Sequence, residues 1–111
     1  MTPADESAYV AAVILLYLDL PDTPWRPTPQ DQAMARRLHQ QNVPISVVES
    51  ALLLASLRRM VRPADLPALA PIRSLAYFQS VIAELQQQSL PEGYLDYLRA
   101  KFHKLVPQPG D

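Results

Sequence analysis

Twelve prolines stand against two glycines, Gly93 and Gly110, in this chain, and that imbalance limits its fold more than any other feature. Tight β-hairpins depend on glycine or asparagine for positive backbone angles, and proline removes the amide that a sheet ladder requires. Helices divided by rigid breaks satisfy both constraints. Apolar residues make up 49% and charged residues 19%, an ordinary globular balance, and 111 residues suffice for one core but not two. The sequence therefore predicts an all-α fold, a single-domain bundle over residues 1–111 with about five helices joined by proline-rich loops.

Local signals place the helices. The first is expected over residues 4–19, with Asp5 and Glu6 at its positive end and Pro21 stopping it. Its apolar side chains, Tyr9, Val10, Val13, Ile14, Leu16, Tyr17 and Leu18, point in nearly every direction, so other helices or a second subunit must cover it. Residues 21–29 hold four prolines around Trp25 and read as an extended connector, with Trp25 expected to pin it to the bundle. Thr28, Pro29 and Asp31 form the start of a second helix, to about Gln41, whose thin apolar set marks it as a surface helix.

Ser46 and Glu49 have capping-box spacing before a strongly apolar stretch that ends at Val61, the expected centre of the bundle. A fourth helix begins after Pro71 and ends near Gln88, presenting Leu75, Phe78, Val81, Ile82 and Leu85 on one side. Ser89 and Glu92 repeat the capping-box spacing ahead of a fifth, whose inward face is Leu95, Leu98, Phe102 and Leu105. Residues 106–111, with Pro107 and Pro109, read as a disordered tail.

Several functional classes lack the residues they need. The chain has no cysteine, which removes disulfides, thiolate metal sites and a cysteine nucleophile. His39 and His103 have no ligand-like spacing to each other or to carboxylates, and there is no glycine-rich phosphate loop or nucleophile elbow. The expectation is a protein that is not an enzyme and uses no metal and no cofactor. The longest apolar run, residues 9–18, is half the roughly 20 residues of a membrane span, and acids rather than bases precede it. No membrane association and a cytoplasmic location are expected.

Charge is unevenly distributed beneath a net −1. Residues 1–35 carry five acids and one base, whereas residues 36–104 carry nine bases and five acids, a segment at +4 suited to an anionic partner. Three constellations follow. Residues 29–61 have helix-turn-helix spacing, but the second helix offers Val47, Val48, Ala51, Leu52, Leu53, Leu54 and Ala55 where base-reading side chains would stand, which suits a core better. Arg58, Arg59 and Arg62 close that helix, where its dipole alone accounts for cations. Arg73, in the expected first turn of the fourth helix, opposes the dipole and calls for a compensating carboxylate such as Asp65, or for an anionic ligand. Finally, Tyr94, Tyr97, Lys101 and Lys104 fall within about 80° on the last helix. Such a strip can stack bases and neutralise phosphates, or it can pack tyrosines and snorkel lysines at a helix edge.

The block at residues 71–85, PIRSLAYFQSVIAEL, resembles a helix near the end of bacterial and phage replication-initiation proteins, including DnaD-like helical modules, with residues 28–104 similar more loosely. There a basic and polar lead-in precedes an aromatic pair and an apolar-acidic helix. The resemblance implies binding to DNA or to replication proteins on a mobile element or plasmid, and carries over Arg73, Tyr77 and Phe78. The chain has no separate winged-helix domain and is not basic overall, so it implies an accessory protein of DNA replication or of DNA metabolism more broadly. DNA would meet Arg58, Arg59, Arg62, Arg73, Tyr77, Tyr94, Tyr97, Lys101 and Lys104, and a protein partner or a second copy would bury Tyr9, Val13, Tyr17 and Trp25. The competing expectation is a protein-interaction or homo-oligomerisation module without nucleic-acid binding.

Overall fold

The computed structural model describes residues 3–106. Five α-helices form a small all-α bundle: α1 Pro3–Leu18, α2 Pro29–Gln40, α3 Ile45–Met60, α4 Gln79–Gln86 and α5 Tyr94–Leu105, with a 3-10 turn, Leu75–Phe78, leading into α4. Among the described residues there is no strand, and no helix is long and apolar enough to cross a membrane. Pro107, Pro109 and the rest of the expected tail after Val106 lie outside the described residues.

Helix α3 is the axis of the bundle, as its apolar run predicts. Val48, Ser50, Ala51, Leu52, Leu53, Ala55, Ser56 and Leu57 are all buried, and α1, α4, α5 and the 3-10 turn pack around it. Val13 and Tyr17 from α1, Phe78 and Ile82, and Leu98 from α5 fill the core, each contributing roughly 1.5–3 kcal/mol of apolar burial. The Tyr17 and Phe78 rings meet edge to face at 6.0 Å.

The helix ends show which local signals prevail. At α2 the expected cap forms in full: Thr28 Oγ1 accepts the Asp31 amide at 3.1 Å, and Asp31 Oδ2 accepts the Thr28 amide at 2.9 Å. Its other end is a Schellman closure, with the Val43 amide on Leu38 O, the Asn42 amide on His39 O, and Asn42 in the left-handed region at φ +59°. The other two predicted capping boxes do not form. Pro44 occupies the cap of α3 with its backbone preset at φ −60°, and Glu49 turns outward to Arg99. Helix α5 starts later than predicted, after Gly93 at φ +81°, a conformation that glycine takes without strain.

Trp25 does not pin the connector: it is 95% exposed. Polar contacts hold that segment instead. Asp22, at φ +65°, accepts the Ile72 amide on its carbonyl at 2.8 Å, and Thr23 Oγ1 donates to Leu20 O at 2.7 Å. Asp31 adds a second tie, because its buried carboxylate also accepts the Leu75 amide at 2.9 Å. One side chain thus ties the start of α2 to the start of the 3-10 turn.

Candidate nucleic-acid and partner interfaces

The arginines at the end of α3 are engaged by their own fold. Arg58 makes a two-pronged bond to Glu84, at 3.1 and 2.8 Å, and this hydrogen bonding holds the Glu84 carboxyl below its ordinary range. Arg59 donates to Tyr77 Oη at 3.1 Å, Asp22 Oδ2 at 3.3 Å and Ala70 O at 2.9 Å, and stands over the Tyr77 ring. With 10% of its side chain exposed, it clamps the 61–74 loop to the connector. Arg62 donates to Pro67 O within the same loop. Arg58 and Arg59 would each have to give up an ion pair to meet a phosphate, and Tyr77, 46% exposed, is tied to Arg59.

Arg73 lies elsewhere than expected. Ser74 is the cap of the 3-10 turn, its Oγ accepting the Ala76 amide at 3.0 Å, so Arg73 precedes the helix and escapes the dipole penalty. It is exposed and forms no ion pair with Asp65 or any other described residue. Phe78, the other aromatic carried by the resemblance, is fully buried in the core.

The α5 strip assembles as its spacing predicts. The Tyr94 and Tyr97 rings stack at 6.4 Å, and Lys101 Nζ lies 5.8 Å from the Tyr97 centroid. Tyr94 leans on the core, Tyr97 is 57% exposed, and Lys101 and Lys104 are exposed without a carboxylate partner among the described residues.

The expected partner residues divide. Val13 and Tyr17 are fully buried and belong to the core, because α1 turns that side onto α2 and α3. Tyr9 is partly buried, donates its hydroxyl to Val43 O at 2.7 Å, and packs on His39 at 4.9 Å. Trp25 remains available, and Leu15, absent from the expected set, is 68% exposed above an apolar groove that includes Ala12, Leu16 and Ile45. The all-round apolar pattern of α1 carried that signal, but periodicity did not say which side would stay uncovered.

The outer face of α2 holds a further set of exposed cations, outside the residues expected from the sequence. Asp31, Met34, Ala35 and Leu38 point inward, leaving Gln32, Arg36, Arg37 and Gln40 exposed. No exposed acid lies on this helix, and neither arginine pairs with a described carboxylate. The available signal was that the only acid in α2, Asp31, sits at a capping position.

Among the described residues, no group of three or more histidines and carboxylates is placed to hold a metal ion. His39 Nδ1 is 3.9 Å from Glu6 Oε2, a contact between α1 and α2. No family model matches, and neither the curated proteins nor the solved structures contain a significant match.

Proposed function

We propose that this chain is a non-enzymatic accessory protein of DNA metabolism that binds nucleic acid and a protein partner. The observation that carries the reading is the sorting of cations. Arg58, Arg59 and Arg99 are matched with Glu84, Asp22 and Glu49, whereas Arg36, Arg37, Arg73, Lys101 and Lys104 are exposed with no carboxylate mate among the described residues. Exposed, unmatched cations neutralise phosphates without first breaking a fold contact. Arg73 belongs to both groups of support, since the replication-protein resemblance also points to it. Fluorescence anisotropy with labelled single- and double-stranded oligonucleotides tests the reading: binding that weakens steeply between 50 and 200 mM salt supports it. No binding at 50 mM salt removes it.

A second reading, a protein-interaction module without nucleic acid, is favoured by Leu15 and Trp25, large apolar side chains at 68% and 95% exposure. Sedimentation equilibrium checks its self-associating form. A dimer lost in Leu15→Glu supports that form, and a monomer at all concentrations removes it.

A further inference from the structure

The geometry points to the outer face of α2, not α3 or α5, as the element that enters the major groove of double-stranded DNA. This rests on the nucleic-acid reading above and names the form of nucleic acid and the residues. Helix-turn-helix spacing placed the base-reading role on the second helix of the pair, but α3 is buried along residues 50–53 and 55–57 and has no face to offer. The first helix has what the second lacks. Its exposed residues Gln32, Arg36, Arg37 and Gln40 fall at i, i+4, i+5 and i+8, with half-buried Ala33 on the same side, a single stripe about 12 Å long at 1.5 Å per residue.

The side-chain types suit base edges. Arginine bonds guanine O6 and N7, glutamine bonds adenine N6 and N7, and the alanine methyl can contact a thymine methyl. The stripe carries two positive charges, and Asp31, the one acid in α2, is 1% exposed and consumed by backbone amides. On the α1 side Gln32 and Arg36 border a groove shared with Glu6, whose carboxylate lies 3.9 Å from His39 Nδ1 and forms no ion pair with either arginine.

The mounting is equally specific. A groove-reading helix must be held firmly, and α2 is fixed at its start by the Thr28–Asp31 capping box and at its end by the Schellman closure. Asp31 further joins it to the Ser74–Leu75 segment, which sets Arg73 beside the first turn of α2. Arg26, two residues before the Thr28 cap, is also exposed. Arg26 and Arg73 thus add exposed cations on segments joined to the N-terminal end of α2, and phosphate contacts from such residues would position a reading helix without themselves carrying sequence information.

Anisotropy titrations of a labelled 20-base-pair duplex and its single strand, with the full chain at 50 mM salt, test the inference. The expected results are tighter binding to duplex, a loss of tenfold or more in Arg36→Ala/Arg37→Ala, and a shallower salt dependence by about one unit of slope per arginine removed. Gln32→Ala/Gln40→Ala should reduce discrimination between AT-rich and GC-rich duplexes and leave the salt slope unchanged. Lys101→Ala/Lys104→Ala should change affinity less than threefold. All six side chains are exposed, and circular dichroism of each variant should match the parent. Wild-type affinity in the α2 arginine variant, or a preference for single strands, overturns the inference and leaves the nucleic-acid reading standing with α5 as the site. Failure of the parent to bind either oligonucleotide overturns both.

Discussion

Replacing Asp31 with alanine should destabilise the fold by about 3 kcal/mol, a value built from the bonds its carboxylate makes. Oδ2 accepts the Thr28 amide and Oδ1 the Leu75 amide, both at 2.9 Å, and Ser74 Oγ donates to Oδ1 at a marginal 3.5 Å. Hydrogen bonds to a charged group are worth roughly 1.5–3 kcal/mol each, and the variant also leaves the Leu75 amide buried without a partner. Release of the carboxylate from a site only 1% exposed recovers part of the loss, which sets the net near the value of one strong bond plus one cap. Asp31→Asn keeps one acceptor oxygen and should cost about half as much. Urea denaturation of parent and variants measures the difference; with an unchanged m-value the midpoints convert directly to free energy. A cost below about 1 kcal/mol for alanine would show that Asp31 does not join α2 to the 3-10 turn energetically.

Other consequences are smaller but equally direct. The Tyr17 hydroxyl is fully buried with no hydrogen-bond partner, so Tyr17→Phe should raise stability by about 1 kcal/mol while keeping the edge-to-face contact with Phe78, as thermal unfolding would reveal. Burial, and secondarily the Asp31 charge, push Tyr17 up to about 12, and burial does the same for Tyr9. Because the folded state holds these phenols neutral above their ordinary value of 10.0, their contribution is complete below pH 10 and is lost as pH rises towards 12; alkaline denaturation of Tyr17→Phe should be correspondingly shallower. Arg59→Ala should cost about 1–2 kcal/mol and accelerate exchange of the Ile72 amide, since it removes the clamp between the 61–74 loop and Asp22.

The helices were legible because proline spacing, apolar runs and the Thr28–Asp31 box act through neighbouring residues. Those signals do not depend on what packs nearby. The boxes expected at Ser46 and Ser89 failed for the complementary reason. Pro44 and Gly93 fixed the backbone before a side chain could cap it, and Glu49 found a stronger partner in Arg99, fifty residues away. The same limit governs the candidate site. The stacking of Tyr94 on Tyr97 and the placing of Lys101 follow from one helix and were predictable. The pairing of Arg58 with Glu84 and of Arg59 with Asp22 joins distant segments, which composition and spacing cannot register. A tryptophan usually buries its large area, which is why the sequence points to Trp25 as an anchor, whereas the left-handed Asp22 turn and its bond to Ile72 hold the connector.

The most direct test of the central claim is a set of amide chemical-shift changes recorded as an unlabelled 20-base-pair duplex is added to the isotopically labelled chain. The account predicts that the largest changes cluster at Gln32, Ala33, Arg36, Arg37 and Gln40, with weaker ones at Arg26 and Arg73, and that α5 stays nearly silent. Changes centred on Tyr97, Lys101 and Lys104 with α2 undisturbed, or no changes anywhere at low salt, would contradict it.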